Sequence, residues 1–236
     1  MTHTMTYNHS TILQWNCRSF STAKTIIAAK VKNIKPIALL LQETLTTPPL
    51  PGYNVFINSS IPRNSQVLGH AAILLDTSVL ATQLCLSLSS SPLYGVVAII
   101  AYPPRVKKLI LVSAYYRPRY QTCSDAFSWL QHIRNEYPST PILIEGDFNA
   151  PHTTWGYPTN SDSAKYLLDS TEVANVHLNN DTTYFTRIAL HPNHTDTTPD
   201  LTWASPCLVK TWALYSTTWG NDHLPILITL RLLAFI

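Results

Sequence analysis

Short apolar runs of strand length recur along the chain, each cut off by Pro, Ser, Thr, Asn or Asp. They fall at Thr11–Asn16, Pro36–Gln42, Asn54–Asn58, His70–Asp76, Tyr94–Ala101, Leu109–Tyr115, Pro141–Glu145, Thr182–Arg187, Leu201–Ala204, Thr211–Ser216 and Ile226–Arg231. The interrupting residues are those that favour turns, so each run reads as one strand. Thr22–Asn33, Ser124–Tyr137 and Ser163–Ser170 instead carry apolar residues at helical spacing. Helices between and outside so many strands predict an α/β fold, a four-layer sandwich of two packed mixed β-sheets flanked by helices. With 236 residues, no repeat and no low-complexity linker, residues 1–236 are expected to form a single domain.

Charged residues make up 12% of the chain, about half the usual share, so each acid invites a question. Six glycines against 17 prolines speak against a Gly-rich nucleotide loop. A net charge of +3 and a pI near 8.6 are compatible with a nucleic-acid partner without establishing one. Cys17, Cys85, Cys123 and Cys207 are far apart and lack CxxC spacing, which argues against a zinc site. They read as buried or free thiols of a reducing compartment, with two disulfides as the alternative. The N-terminus MTHTMTYNHS has no signal-peptide core, and Ile37–Leu41 and Val96–Ala101 are too short to span a bilayer. A soluble intracellular protein is expected.

Polar residues stand where apolar strands stop: Asn16 after ILQW, Glu43 after ALLLQ, Tyr115 after ILVSA, and Asp147 and Asn149 in ILIEGDFN. In an extended chain Glu145, Asp147 and Asn149 share one face. Asp222-His223 precedes the apolar run LPILITL. Taken singly, each suits a turn, a surface or the core. Strand ends gathered on one rim would instead place them around one cleft. Glu43, Asn16 and Asp222 are hard oxygen ligands suited to Mg²⁺ or Mn²⁺. Asp200 facing His223 would hold one tautomer and favour its charged form. No GxSxG elbow supplies a nucleophile, so a metal, carboxylates and an oriented histidine fit hydrolysis of a phosphodiester by water.

The ordered set Trp15-Asn16, Leu41-Gln42-Glu43, SAYYRP (Ser113–Pro118), GDFNAPH (Gly146–His152), PDLTWAS (Pro199–Ser205) and NDHLP (Asn221–Pro225) resembles the endonuclease/exonuclease/phosphatase superfamily. Within it, PILIEGDFNAPHTTWG and NDHLPI look most like the endonuclease domain of LINE-type, non-LTR retrotransposons. The resemblance implies a divalent metal, Mg²⁺ or Mn²⁺, on the side of Asn16 and Glu43, with Asp222 beside it. It implies a phosphate contact from Tyr115, water and phosphate handling by Asp147 and Asn149, and a catalytic His223 backed by Asp200. Asp147 and His223 both remain candidates for the base. Three departures stand out. NDH replaces the usual SDH, YYRPR leaves Tyr115 or Tyr116 as the phosphate tyrosine, and Thr198-Pro199 precedes Asp200.

The implied reaction nicks one strand of double-stranded target DNA, leaving a 3′-hydroxyl to prime reverse transcription and a 5′-phosphate. Arg18, Arg63, Arg117, Arg119 and Arg187 are the expected phosphate contacts. His191, Asn193 and His194, in the segment between Arg187 and Pro199, are expected to influence target choice. A reverse transcriptase is expected in the same polypeptide, after the apolar end RLLAFI. The domain itself is expected to be monomeric and to act in the nucleus, reached via the cytoplasm. The alternatives are an abasic-site repair endonuclease, another phosphodiesterase of the same fold, or a catalytically dead nucleic-acid-binding remnant.

Overall fold

The computed structural model describes residues 11–57, 71–86, 94–103, 108–118, 124–206 and 208–231. In chain order these form β1 (Thr11–Asn16), α1 (Phe20–Ile34), β2 (Ala38–Gln42), β3 (Tyr53–Ile57), β4 (Ala72–Asp76), β5 (Leu80–Gln83), β6 (Tyr94–Tyr102) and β7 (Leu109–Tyr116). There follow α2 (Ser128–Glu136), β8 (Ile142–Asp147), α3 (Asp162–Val173), β9 (His177–Leu178), β10 (Asp200–Ala204), β11 (Val209–Leu214) and β12 (Ile226–Leu230).

The strands make two six-stranded sheets, β11-β12-β1-β2-β4-β3 and β5-β6-β7-β8-β10-β9. Each sheet has one parallel pair at its centre, β1 with β2 and β7 with β8. A parallel pair needs a crossover, and α1 and α2 supply them. All four of these strands therefore run toward the same rim. β10 and β12 run antiparallel to β8 and β1, so they start at that rim. This topology turns polar residues after four strands and before two others into one cluster.

The period-two alternation of the strands sorts the core into layers. Ile12, Leu40, Leu111, Leu143 and Ile228 fill the space between the sheets. Leu13, Leu39 and Leu41 pack outward on Phe20, Ala23 and Ile27 of α1. On the other side, Val112 and Ile144 pack against Leu130 and Ile133 of α2 and Leu167 of α3. The layers are thus helix, sheet, sheet, helices, as expected. Gly146 lies where β7 and β8 meet most closely: an added Cβ would sit 2.2 Å from the Ala114 carbonyl oxygen.

Three details differ from the sequence reading. Thr182–Arg187 is not a strand, because the Asp181 carboxylate accepts hydrogen bonds from Thr183 N and Oγ1 and bends the chain, leaving only isolated pairing at Arg187. β5 and β9 are short strands at the outer edges of the second sheet that the pattern did not reveal. The helix expected from Ser124 begins as a 3₁₀ turn over Ser124–Phe127. Cys17 is buried and Cys85 exposed, both as free thiols, whereas Cys123, Cys207, Arg63 and Arg119 lie outside the described residues. No described helix is long and apolar enough to cross a membrane.

Candidate active site

Asn16, the last residue of β1, links the two sheets. Its amide nitrogen donates to Glu43 Oε1 and to Asp147 Oδ2, each at 2.8 Å. Its Oδ1 accepts the Arg18 backbone N–H at 3.0 Å, which holds the amide in that orientation. Glu43 follows β2 with φ 51° and Asn149 follows β8 with φ 45°. Left-handed backbone is uncommon for a glutamate and suits a functional turn. Asn149 Nδ2 donates to Asp147 Oδ1 at 2.5 Å and to the Tyr116 carbonyl at 2.9 Å. The Asp147 carboxylate is therefore held at both oxygens.

The two tyrosines of YYRPR face opposite ways, and Tyr115 is the one on the side of Glu43 and Asp147. It stands opposite Asp147 in the β7–β8 register and faces between the sheets, where its hydroxyl bonds to Glu43. Tyr116 points the other way: its hydroxyl donates to the Ala126 carbonyl at 2.7 Å and its ring stacks on Tyr94. Burial, then the charges of Glu43 and Asp147, push the Tyr115 hydroxyl pKa up, so it stays a donor.

Asp200 opens β10 in register with Asp147. Its Oδ2 lies 2.8 Å from His223 Nδ1 and accepts from Thr186 Oγ1, also at 2.8 Å. The His223 backbone is fixed too. Its N–H donates to Asn221 Oδ1 at 2.9 Å, and its carbonyl accepts from the Trp15 indole at 3.1 Å. Asn221 in turn donates to the Asn16 carbonyl at 2.9 Å, so the asparagine of NDH ties the histidine to the end of β1.

Asp222 is held by two arginines. Arg187 Nε donates to its Oδ2 at 2.7 Å and Arg18 Nη1 lies 3.0 Å from its Oδ1. The latter contact is a charge pair without hydrogen-bond alignment. Arg187 also pairs through its backbone with both Thr197 and His223, which fastens the base of the 187–197 turn to the histidine. His191, Asn193 and His194 form the exposed far end of that turn, with the two imidazoles edge to face at 5.6 Å. Between it and Arg18 lies an open cleft of about 570 Å³. Arg117 follows β7, close enough to Tyr115 for its charge to be felt.

The electrostatics separate the two candidate bases. Burial, then the neighbouring Asp200 charge, push Asp147 up to about 7, although His223 works against the shift. Burial opposes charge on His223, but the charge and hydrogen bond of Asp200, then Asp147 and Asp222, outweigh it and hold the imidazole up at about 9. Both shifts favour the proton-bearing form, the cation of His223 and the neutral acid of Asp147.

Asp147, Asp200 and His223 place ligand-type atoms within 4.8 Å of one another. His223 Nδ1 and both Asp147 oxygens are already hydrogen-bonded, so this trio reads as a proton-handling unit. Oxygen donors also stand at the Asn16–Glu43 side, on the other flank of Asp147. Carboxylate and amide oxygens of this kind suit Mg²⁺ or Mn²⁺.

Four contributors were not singled out in the sequence. Thr186 and Trp15 position Asp200 and His223, and Asn221 bridges two motifs. The fourth is Tyr157, whose hydroxyl bonds to Thr197 and lies within reach of the charges of Asp147, Asp200 and Arg187. Trp15, Asn221 and Tyr157 lie within or beside quoted motifs, but their partners are distant in sequence.

The two-sheet sandwich has the fold of the endonuclease/exonuclease/phosphatase class, and one rim of it gathers paired carboxylates, a carboxylate-held histidine and arginines. The chain belongs to the endonuclease–reverse transcriptase family, whose model matches residues 110–227, half of the 236. Among solved structures it is similar to the endonuclease domain of TRAS1, a telomere-specific non-LTR retrotransposon, with 20% identity, TM-score 0.76, and 94% of this chain and 98% of that one covered. It is also similar to an AP endonuclease from Leishmania major, with 14% identity, TM-score 0.73, and 94% and 88% covered. An AP endonuclease from Archaeoglobus fulgidus shares the fold at 16% identity and TM-score 0.68, with 93% and 98% covered. A search of curated proteins finds no match.

Proposed function

We propose that this domain is a Mg²⁺-dependent endonuclease that nicks one strand of double-stranded DNA and leaves a 3′-hydroxyl for a reverse transcriptase to extend. The observation that carries the reading is the junction of Asn16, Glu43 and Asp147 beside the Asp200–His223 pair, with arginines on the same rim. Family membership supports a reverse transcriptase in the same polypeptide, and genomic DNA as target places the action in the nucleus, reached via the cytoplasm. The domain is taken to act as a monomer.

The metal, held by Glu43 with Asn16 beside it, would polarise the phosphate and offset its growing charge. Asp147, steadied by Asn16 and Asn149, accepts a proton from the attacking water. The water oxygen bonds to phosphorus, the bond to the 3′ oxygen breaks, and that oxygen takes a proton from solvent, giving a 5′-phosphate and a 3′-hydroxyl. Cationic His223, held by Asp200, and the Tyr115 hydroxyl donate to the non-bridging oxygens, where charge builds up. Arg18, Arg117, Arg119 and Arg187 hold flanking phosphates, which makes binding salt-sensitive with little sequence choice. His191, Asn193 and His194 bias the site that is cut. Asp222 acts through Arg18 and Arg187, next to the metal side.

Supercoiled plasmid tests this, with Mg²⁺ or EDTA, beside Asp147→Ala and His223→Ala. Metal-dependent relaxation by the wild type alone, with nicks that a DNA polymerase can extend, supports the reading. Cleavage confined to abasic DNA would favour a repair activity, which the likeness to AP endonucleases keeps in view.

A further inference from the structure

Asp222 pairs with two arginines, and no other acid among the described residues does so. Its side chain is 2% exposed, whereas those of Arg187 and Arg18 are 41% and 47% exposed. All three line the cleft beside the 187–197 turn, together with His191 and His194. The arginine backbones are held as well. Arg18 follows β1 in left-handed conformation, with its N–H on Asn16 Oδ1. Arg187 pairs through its backbone with His223. Each guanidinium therefore springs from a residue bonded to the catalytic set, and each is tied at its far end to the same carboxylate.

An arginine on an open surface samples many rotamers, and ordering it on a ligand costs free energy. A guanidinium already fixed by a carboxylate has that order before the ligand arrives. Arg187 donates to Asp222 through Nε alone, and its two Nη groups bond to nothing among the described residues. Arg18 meets Asp222 as a charge pair without hydrogen-bond alignment, so its side-chain N–H groups stay available. Two guanidinium charges against one carboxylate leave a single positive charge facing the cleft. A phosphodiester, with its single negative charge and paired oxygens, matches that.

The same pairs speak against a metal at Asp222. A divalent cation there would stand against two guanidinium groups. Burial opposes charge on Asp222, but the hydrogen bond of Arg187, then the charges of His223, Arg187 and Arg18, outweigh it and hold its carboxyl below the usual range. Asp222 is also absent from the one cluster of potential ligand side chains among the described residues, which is Asp147, Asp200 and His223.

We infer that Asp222 is a positioning residue that takes no metal: one buried carboxylate holds Arg18 and Arg187 as a clamp, and their remaining N–H groups grip a backbone phosphate of the bound duplex next to the scissile one. The clamp rests on DNA as the ligand, as in the proposed function.

The test reads binding of a labelled duplex in EDTA by anisotropy, so that no cutting intervenes. Removing an acid from a DNA-facing surface should tighten binding if the acid acts only by its charge. Asp222→Asn should instead weaken binding about fivefold, and the salt slope should fall by about one phosphate contact. Affinity for Mn²⁺, measured by calorimetry without DNA, should stay within about twofold, where loss of a metal ligand would lower it by about tenfold or more. In a background of Arg18→Ala with Arg187→Ala, Asp222→Asn should change duplex affinity by less than about twofold, since nothing is left to aim. Arg187→Lys keeps the charge but has one ammonium for two tasks, so it should lose about as much affinity as Arg187→Ala. Tighter or unchanged duplex binding in Asp222→Asn, a loss of Mn²⁺ affinity on that larger scale, a full effect in the arginine-free background, or wild-type affinity in Arg187→Lys would each overturn the inference. If Asp222→Asn does not fold, Arg187→Lys decides. A wild type that binds duplex but nicks nothing would sink the proposed function and leave the clamp to these variants. A wild type that binds no duplex would sink the clamp.

Discussion

Asn16 reaches from the end of β1 to Asp147 at the end of β8, 2.8 Å away, and so joins one sheet to the other at the point where the site opens. The same nitrogen holds Glu43. Asn16→Ala should therefore release both carboxylates at once. We expect kcat for plasmid nicking to drop by about a hundredfold or more, with a raised Mg²⁺ requirement, while the melting temperature falls by only a few degrees. A Mg²⁺ titration of nicking rates would show it; wild-type rates in this variant would deny Asn16 its role.

The pH behaviour follows from two upward shifts. Asp147 is raised to about 7 and His223 to about 9, so the nicking rate should be bell-shaped, rising through the first and falling through the second. Stability has its own sign. A raised histidine stabilises the fold fully below its unfolded pKa near 6.5, and that stabilisation is lost as pH rises through about 9. Metal-free urea melts should show stability falling by about 3 kcal/mol from pH 6 to pH 10 through His223 alone, with Asp147 adding to the fall, and Asp200→Asn should shrink the difference. A rate still climbing above pH 10 would exclude His223 as the working cation.

Gly146→Ala should be severely destabilising, by about 3 kcal/mol, because the new Cβ would meet the Ala114 carbonyl oxygen at 2.2 Å. The strands that would have to part carry Tyr115 and Asp147. Chemical denaturation measures the loss; an unchanged midpoint would mean that β7 and β8 separate without cost.

The 187–197 turn is two things in one segment. Its base is fixed by Arg187 to His223 and Asp222, while its far end is exposed. Replacing residues 190–195 with a Gly-Ser stretch should redistribute cleavage sites on a long duplex and leave plasmid relaxation within about threefold. Arg187→Ala should instead lower relaxation itself. Site mapping on an end-labelled duplex separates the two; identical cleavage patterns before and after the swap would remove the turn from target choice.

Tyr157→Phe removes a hydroxyl that bonds to Thr197 beside the catalytic carboxylates. A loss of about threefold to tenfold in kcat with an unchanged fold is expected, in the range of a single neutral hydrogen bond. Equal kcat in the two proteins would leave Tyr157 as packing alone.

Much of this was legible in the residues. The five-residue apolar run ALLLQ, and ILIEGD with its acid at the end, fix β2 and β8, since unbroken apolar strands belong in sandwich interiors. Alternation put Glu145 and Asp147 on one face of their strand. Thr182–Arg187 misled because its aromatic and threonine content suits a strand, while the Asp181 side chain decides the turn. The partners of Asp222 were invisible for another reason. Arg18 is about two hundred residues away and Arg187 sits in an irregular segment, so only the folded chain pairs them. Glu145 was visible as an oddity, and its burial without a hydrogen-bond partner among the described residues became apparent only in the fold.

The order in which the chain visits its sheets has a consequence for synthesis. It builds β1 to β4 of one sheet, then all six strands of the other, and only afterwards returns to finish the first with β11 and β12. His223 lies on that return, and Trp15 and Asn221 dock it only when β12 lies against β1. A nascent chain still lacking its last strands holds the carboxylates without the imidazole. Under the proposed function, a copy terminated before His223 would lack the imidazole and should not nick DNA.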